Sequence, residues 1–405
     1  MIEPIPFEAT DWASLDTPCF VFDEPELREN YCDFDRAVKA AWSPLARVAY
    51  SIKTNPLPWV LGVARTAGCM AEAVSGEELA VALECGFAPH DLIFNGPIKT
   101  PDWTRWALDN GVYVNLDSSH DVVTVCRYAE ERPGVKVGVR ANIELERFCP
   151  GQTVTGERGG RFGFCYENGE LARVVNELRG AGADVAGLHM HVTTLSRSLE
   201  VYRVLAEHAA AIARTFGLDL RWIDMGGGFY GGGARNEGAY ERYAATMAEV
   251  LRDAADPQRC ALFVEPGGAV VCTPGRYVGK VVDVKDTTAA RFVTCELSRI
   301  NIDHEMKKTS YPLRFVTRSQ GTHPRQVLCG YTCMESDRLC ELLDAPELAA
   351  GDTVAIDFAG AYSMSFTPEF FIERAPAVYA RDGRGTCTLV RPSRRSSAPQ
   401  SGSGA

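Results

Sequence analysis

RVAYSIKTNP, residues 47–56, decides how the rest of the chain is read. It opens on an apolar, β-branched run, RVAYSI (47–52), and passes through a lysine and a proline into a helical pattern, LPWVLGVARTAG. The same rhythm returns in CMAEAV (69–74), DLIFN (91–95), VYVNL (112–116), VKVGVR (135–140), VAGLHMH (185–191), RWIDM (221–225) and CALFV (260–264). These runs are continuously apolar rather than alternating, as in parallel strands covered on both faces. The stretches between them are amphipathic. ELARVVNELRGAG and VYRVLAEHAAAIARTFG end in glycine, as helices often do, and Ser75-Gly-Glu-Glu78 has capping-box spacing. Eight strand–helix repeats over about 220 residues predict an α/β chain built on a (β/α)8 TIM barrel.

Working outward, one long insertion, residues 141–168, follows the fifth run, where inserted loops often join the site. After Pro266 the texture changes to short alternating runs: RYVGKVVDV, RFVTCEL, RQVLCG, TVAIDF, AVYARD and TCTLVRP. They predict a C-terminal antiparallel β domain. The early run PCFVFD (18–23) reads as a strand that joins it. The expected division is a barrel over 24–266, a β domain from 1–23 and 267–390, and a disordered polar tail over 391–405.

The chain has 405 residues, a net charge of −11 and an isoelectric point near 5.3. That balance argues against nucleic acid, which needs a basic face. MIEPIPFEATDW has neither the basic nor the apolar region of a secretory signal, and no apolar run is long enough to span a membrane. The expected compartment is the cytoplasm. The 14 cysteines show no zinc-finger spacing, so in a reducing compartment most read as small buried hydrophobes.

Residues just past the C-terminal ends of barrel strands build the active site. Here they are Lys53, Glu72, Arg140, His189, His191, Gly226 to Gly228 and Glu265. A lysine in a barrel mouth can form a Schiff base with an aldehyde cofactor once desolvation frees its amine; alone, it is more often a lysine whose head reaches solvent. Gly226-Gly227-Gly228, with a second glycine run at 231–233, offers bare amides for a phosphate, or simply a flexible loop. Glu265 could keep a pyridine nitrogen protonated, or merely precede a turn. His189 and His191 are read as alternating along their strand, so that one of them faces the lumen. That weighs against a shared metal, and none is expected. An inward histidine could lie flat on an aromatic ring. An amine, a phosphate cradle, a stacking face and a pyridinium partner, in this order along eight strands, form one constellation.

At this point the chain resembles the fold-type III pyridoxal-phosphate decarboxylases, the diaminopimelate and ornithine decarboxylase family. The resemblance runs over about residues 16–380. TPCFVFD, AYSIKTNP, AEAVSGEELAVALECGF, FNGPIK, VNLDS, GRFGF, GLHMHV, DMGGGF, VEPG, GYTCMESD and DFAGAYSMSF carry it. It implies pyridoxal 5'-phosphate as cofactor and a homodimer with shared sites. Lys53 would carry the cofactor as an aldimine, and His191 would stack on its ring. Thr194, Gly226, Gly227, Gly228 and Tyr362 would contact the phosphate. Glu265 would partner the pyridinium, and Glu72 and Arg140 would line the cofactor. Cys333 would be the thiol donated from the partner subunit, returning a proton after CO2 leaves. A thiol with an ordinary pKa of about 8.5 can act as an acid at neutral pH.

The sequence departs from the family at three places. Gly268 stands after VEPG where an arginine is usual. Met334 replaces the acid that follows the cysteine and meets a distal substrate amine; Glu335 or Asp337 could take that role only with a slipped register. The arginine-proline motif that reads a far carboxylate is not visible in LSRINIDHEMKKTSYPLRF. The resemblance therefore implies a carboxy-lyase acting on an amino acid or a derivative, with siderophore, polyamine or natural-product biosynthesis as settings. Two other readings compete. One is an amino-acid racemase, against which Glu265 and Cys333 speak. The other is a non-catalytic regulatory relative, which Gly268 favours and Lys53, His191 and Cys333 oppose.

Overall fold

The computed structural model describes residues 12, 15–232, 238–303, 307–308, 311–365 and 375–393. The chain forms two compact units, Glu26–Val271 and a second made of Met1–Pro25 with Cys272–Ala405.

The first unit is a closed barrel of eight parallel strands: β1 (Arg47–Ser51), β2 (Met70–Ala73), β3 (Leu92–Phe94), β4 (Tyr113–Leu116), β5 (Lys136–Asn142), β6 (Asp184–His189), β7 (Trp222–Asp224) and β8 (Ala261–Val264). It closes where Phe263 and Val264 of β8 pair with Arg47 and Val48 of β1. All eight apolar runs of the sequence are strands.

The lumen floor is apolar. Ala49, Met70, Ile93, Trp222 and Phe263 pack there, with Tyr113 against them. Tyr113 meets Trp222 and Phe263 edge-on, at ring-centroid distances of 5.2 and 4.8 Å. Gly138 and Gly187 make room: a Cβ on either would sit 2.0 Å from Asn115 Oδ1 or the Trp222 ring, respectively. Side chains alternate along a strand, so a residue two positions on shares the same face. Two positions beyond Ala49, Met70, Ile93, Tyr113, Gly138, Gly187, Trp222 and Phe263 stand Ser51, Glu72, Asn95, Asn115, Arg140, His189, Asp224 and Glu265. This second set is polar throughout, and every member is buried. Buried polar groups need partners, and most of these find them in one another.

The helices follow their caps. Ser75 Oγ accepts the Glu78 N–H at 3.2 Å, while the Glu78 carboxylate takes the Val74 N–H at 2.7 Å, one residue outside a true capping box. The helix Leu199–Phe216 ends on Gly217 at φ +56°, the left-handed position that suits glycine. The helix Ser119–Glu131 is tied to the barrel by an ion pair. Lys99 Nζ lies 3.0 Å from Asp121 Oδ2 with both side chains fully buried, and it also donates to Gly96 O at 2.7 Å. Burial pulls the Lys99 amine down, and Asp121 pulls it back up. Removing one partner of such a pair strands a buried charge and costs about 3–5 kcal/mol. Lys99→Met is expected to destabilise the barrel by that amount in urea unfolding. Adding Asp121→Asn should recover part of it, because asparagine keeps an oxygen for the Asp117 N–H and carries no charge. A loss below about 1 kcal/mol in the single variant would contradict this reading.

The second unit is a nine-stranded sheet with the order Arg338–Pro346, Thr322–Cys329, Arg291–Cys295, Gly275–Asp286, Cys19–Asp23, Ala377–Arg381, Cys387–Arg391. Thr353–Ile356 pairs with Gly275–Asp286, and Leu313–Val316 pairs with Thr353–Ile356. The run at 18–23 does join this sheet. The sheet is mixed, however, and not wholly antiparallel. Cys19–Asp23 runs parallel to Ala377–Arg381, and Arg291–Cys295 runs parallel to Thr322–Cys329. The tail expected to be disordered lies, from residue 394 on, outside the described residues, and Arg391 still belongs to a strand.

Candidate active site

Lys53 sits in a short 3-10 turn, Ile52–Thr54, directly after β1. Its Nζ is 2.7 Å from Glu72 Oε2 and 2.7 Å from Ser51 Oγ, and Ser51 Oγ donates to the same carboxylate oxygen at 2.6 Å. The lysine side chain is 40% exposed whereas Glu72 is 1% exposed, so a buried anion holds an amine that still faces open space.

Glu72 is joined to Glu265 through one amide. Asn95 Nδ2 donates to Glu72 Oε1 at 3.2 Å and to Glu265 Oε1 at 2.5 Å. Asn115 Nδ2 donates to Asn95 Oδ1 at 3.0 Å and to Asp224 Oδ2 at 3.4 Å, and Trp222 Nε1 fixes Asn115 from the floor at 3.0 Å. Sequence reasoning missed Ser51, Asn95, Asn115 and Asp224. The signal that could have found them is the period of two counted upward from the floor.

His189 and His191 both reach this end of the barrel. Their rings are near parallel, 12° apart with centroids at 6.3 Å. The expectation that one of the two faces the lumen is corrected: positions two apart lie on the same side of a strand. His189 Nε2 is 3.6 Å from Glu265 Oε2 and has no hydrogen-bond partner. His191 Nδ1 accepts the Gly227 N–H at 3.2 Å. Burial, then Arg140, push the His191 ring well below the ordinary histidine range. The ring is therefore neutral, with its proton on Nε2, and suited to lie against an aromatic face. Arg140 positions that histidine: Nη1 pairs with Asp117 Oδ2 at 2.7 Å, and Nη2 donates to the His191 carbonyl at 3.0 Å. Arg140 Nε is buried without a partner.

Gly226, Gly227 and Gly228 turn sharply after β7, with Gly226 at φ +68° and Gly228 at φ +88°. A Cβ on Gly226 would lie 2.3 Å from His191 Cβ, and one on Gly227 2.4 Å from Glu265 O. Bare backbone is thus required beside both the histidine and the glutamate. Of the second glycine run, Gly233 lies outside the described residues. Thr194 is half-buried in the loop after β6, where its Oγ1 accepts the Arg197 N–H at 3.2 Å. The insertion is pinned to this loop by a Thr153–Thr194 bridge. It walls a cavity of about 980 Å³ whose lining includes Arg140, His191, Arg158, Arg161 and Phe162.

Cys333, Met334, Glu335, Asp337 and Tyr362 belong to the other unit. Cys333 is exposed, Met334 is half-buried, and Tyr362 is 41% exposed at φ +58°. Glu335 points outward and pairs with Arg338 at 3.0 Å. Asp337 does not offer a free carboxylate. It is 2% exposed and accepts from Ser298 Oγ, the Arg299 N–H, the Thr332 N–H and Thr332 Oγ1 at 2.7–3.2 Å. Asp337 therefore folds the loop that presents Cys333, and a substrate role for it is corrected on that ground. Arg299 reinforces the loop by donating to Ser336 O at 2.9 Å. Gly268 opens a single helical turn, Gly268–Val271.

A profile described as pyridoxal-dependent decarboxylase, pyridoxal binding domain, matches residues 27–272. The chain belongs to the pyridoxal-dependent decarboxylases. As a member of that family it is a pyridoxal-phosphate-dependent carboxy-lyase. The relatives agree over nearly the whole length. A diaminopimelate decarboxylase of Actinosynnema pretiosum subsp. auranticum is 29% identical over 92% of this chain and 85% of its own. A probable chloroplastic diaminopimelate decarboxylase of Oryza sativa subsp. japonica is 25% identical over 93% of this chain and 77% of its own. In fold, the chain matches a crystal structure of Helicobacter pylori diaminopimelate decarboxylase complexed with L-lysine. The TM-score is 0.80, covering 94% of this chain and 95% of that one, at 23% identity. The family's cofactor fits these residues: a half-exposed amine on a buried carboxylate, a neutral flat histidine, two unpartnered buried nitrogens and a glycine cradle that a Cβ would fill. No described helix is long and apolar enough to cross a membrane.

Proposed function

We propose that the chain decarboxylates an amino acid or amino-acid derivative in the manner of diaminopimelate decarboxylase, with Lys53 holding pyridoxal phosphate and Cys333 returning the proton. The observation that carries this reading is the buried polar ring, in which Lys53, Glu72, Asn95 and Glu265 form one hydrogen-bonded line from an amine to a carboxylate. When bound, the cofactor supplies an electron sink for the pair left behind by the departing CO2. This chain's residues do the rest. Lys53 binds the cofactor covalently, and Glu72 orients its amine. His191 covers one ring face and is held there by Arg140. Glu265 offers its carboxylate to the ring nitrogen. Gly226 to Gly228 and Thr194 receive the phosphate. Cys333 Sγ delivers a proton to the carbon that has lost CO2, from the second subunit of a homodimer.

Met334 sets the substrate. A charged hydrogen bond to a distal ammonium contributes roughly 1.5–3 kcal/mol, or about 10- to 150-fold in discrimination, and a thioether cannot make one. A desolvated ammonium facing it would be penalised instead. The preferred substrate therefore carries an alkyl, amide or conjugated group at that point. CO2 release should be measured from diaminopimelate, lysine, ornithine and their N-acyl derivatives. The free diamino acids are expected to be poor substrates, with Met334→Glu improving diaminopimelate about 10-fold or more. A kcat/KM above about 10⁴ M⁻¹s⁻¹ for any free diamino acid, the range of true substrates, would overturn the Met334 assignment. Loss of optical rotation without CO2 would overturn decarboxylation itself.

A further inference from the structure

Behind Glu265 lies a second carboxyl, Asp224 of β7, and the family reading gives it no work. Asp224 is 0% exposed and Glu265 5%. One oxygen of each carboxyl and one nitrogen of His189 all lie within 4.8 Å of one another. Each carboxyl also has a fixed donor. Asp224 Oδ1 takes the Gly226 N–H at 2.9 Å, and Glu265 Oε1 takes Asn95 Nδ2 at 2.5 Å. Two buried carboxyls this near each other disfavour double ionisation, which points to one proton on the pair.

We propose that Asp224 is a positioning residue that carries this proton, donates it in a hydrogen bond to Glu265, and thereby keeps Glu265 as the anion meeting the cofactor's ring nitrogen. The surroundings decide which partner holds it. Glu265 faces His189 from β6 and, more distantly, Lys53 beyond β1. Burial opposes its charge, but His189, Asp224 and Lys53 outweigh burial and hold its carboxyl far below the usual range. Asp224 faces Glu265 and Glu72, both acids, and Asn115. Burial first, then Glu265, push its carboxyl well above the usual range, against the pull of the Gly226 N–H. His191 and the Arg140–Asp117 ion pair lie at the same end of the barrel. The three side chains are close enough for a cation, but three of the four carboxylate oxygens already receive Gly226, Asn115 and Asn95.

The role of Glu265 toward the ring rests on the proposed function, whereas the site of the proton does not. Infrared difference spectra between wild type and Asp224→Asn should therefore be recorded with and without cofactor. At neutral pH they should show the C=O band of a protonated carboxyl, shifted in D2O and lost in the variant. A band removed by Glu265→Gln and kept in Asp224→Asn, or no such band in wild type, overturns the proposal. Cofactor affinity gives a second readout. Asparagine copies a neutral acid that donates, so Asp224→Asn should bind pyridoxal phosphate within about threefold of wild type, and Asp224→Ala at least about tenfold more weakly. Equal weakening in both would mean that the charge of Asp224 is needed, which also overturns the proposal. If wild type itself fails to bind the cofactor while the band is present, the proposed function fails and the shared proton stands.

Discussion

Lys53→Ala is expected to lower kcat by about 10⁴-fold or more and to remove the yellow absorbance of the purified protein. The size follows from losing both a covalent anchor and a proton-transfer group, the latter alone contributing about 10²–10⁴-fold. The structure sharpens the expectation. Lys53 Nζ is the cation on Glu72, and Glu72 shares Asn95 with Glu265. Removing the amine leaves a 1% exposed carboxylate without its charge partner. The variant should therefore also bind pyridoxal phosphate more weakly and lose some stability, as a stranded buried charge requires. Lys53→Arg keeps the charge but cannot form the covalent bond, so it should restore stability and not turnover. Wild-type turnover in either variant would remove Lys53 from the chemistry.

Cys333→Ala is expected to reduce product formation by about 10²–10⁴-fold, the usual contribution of a positioned acid. Its thiol is exposed on a loop whose fold is set by buried Asp337 and Arg299, neither of which this substitution touches. Stability should stay within about 0.5 kcal/mol of wild type, so the loss would be chemical. The proposed homodimer makes a sharper test possible. Lys53→Ala and Cys333→Ala subunits, each inactive, should recover about a quarter of wild-type activity when mixed equally, because half the dimers are mixed and each of these holds one intact site. No recovery after proven subunit exchange would place both groups on one chain.

The barrel was legible because its strands are buried on both faces. A run such as CALFV has no alternation to confuse, and glycine ends such as Gly217 separate the repeats. The mixed sheet was harder to read. Whether Cys19–Asp23 lies parallel or antiparallel to a strand more than 350 residues later is fixed by long-range pairing, to which local alternation is blind. The strands Leu313–Val316 and Arg338–Pro346 were missed because charged residues interrupt them and they are partly exposed.

At the site, residues with distinctive chemistry stood out at strand ends, whereas Asn95, Asn115 and Ser51 did not. Asparagine and serine carry no charge to mark them, and their meaning comes from what they join. Counting two positions up from Trp222 and Phe263 would have reached Asp224 and Glu265 together, and would have shown that HMH turns both histidines the same way. Asp337 was misread for the opposite reason. An acid near a cysteine suggests a substrate contact, but four hydrogen bonds from its own domain show an anchor.

The central claim is that the amine above the polar ring, on Lys53, holds the cofactor. Reducing the purified enzyme with borohydride, digesting it and mapping the modified peptide by mass spectrometry tests this most directly. The account predicts a single pyridoxyl-phosphate adduct, on Lys53 in the stretch SIKTNP. An adduct on another lysine, such as Lys99, or an unmodified Lys53 in protein that retains its yellow colour until reduction, would contradict it.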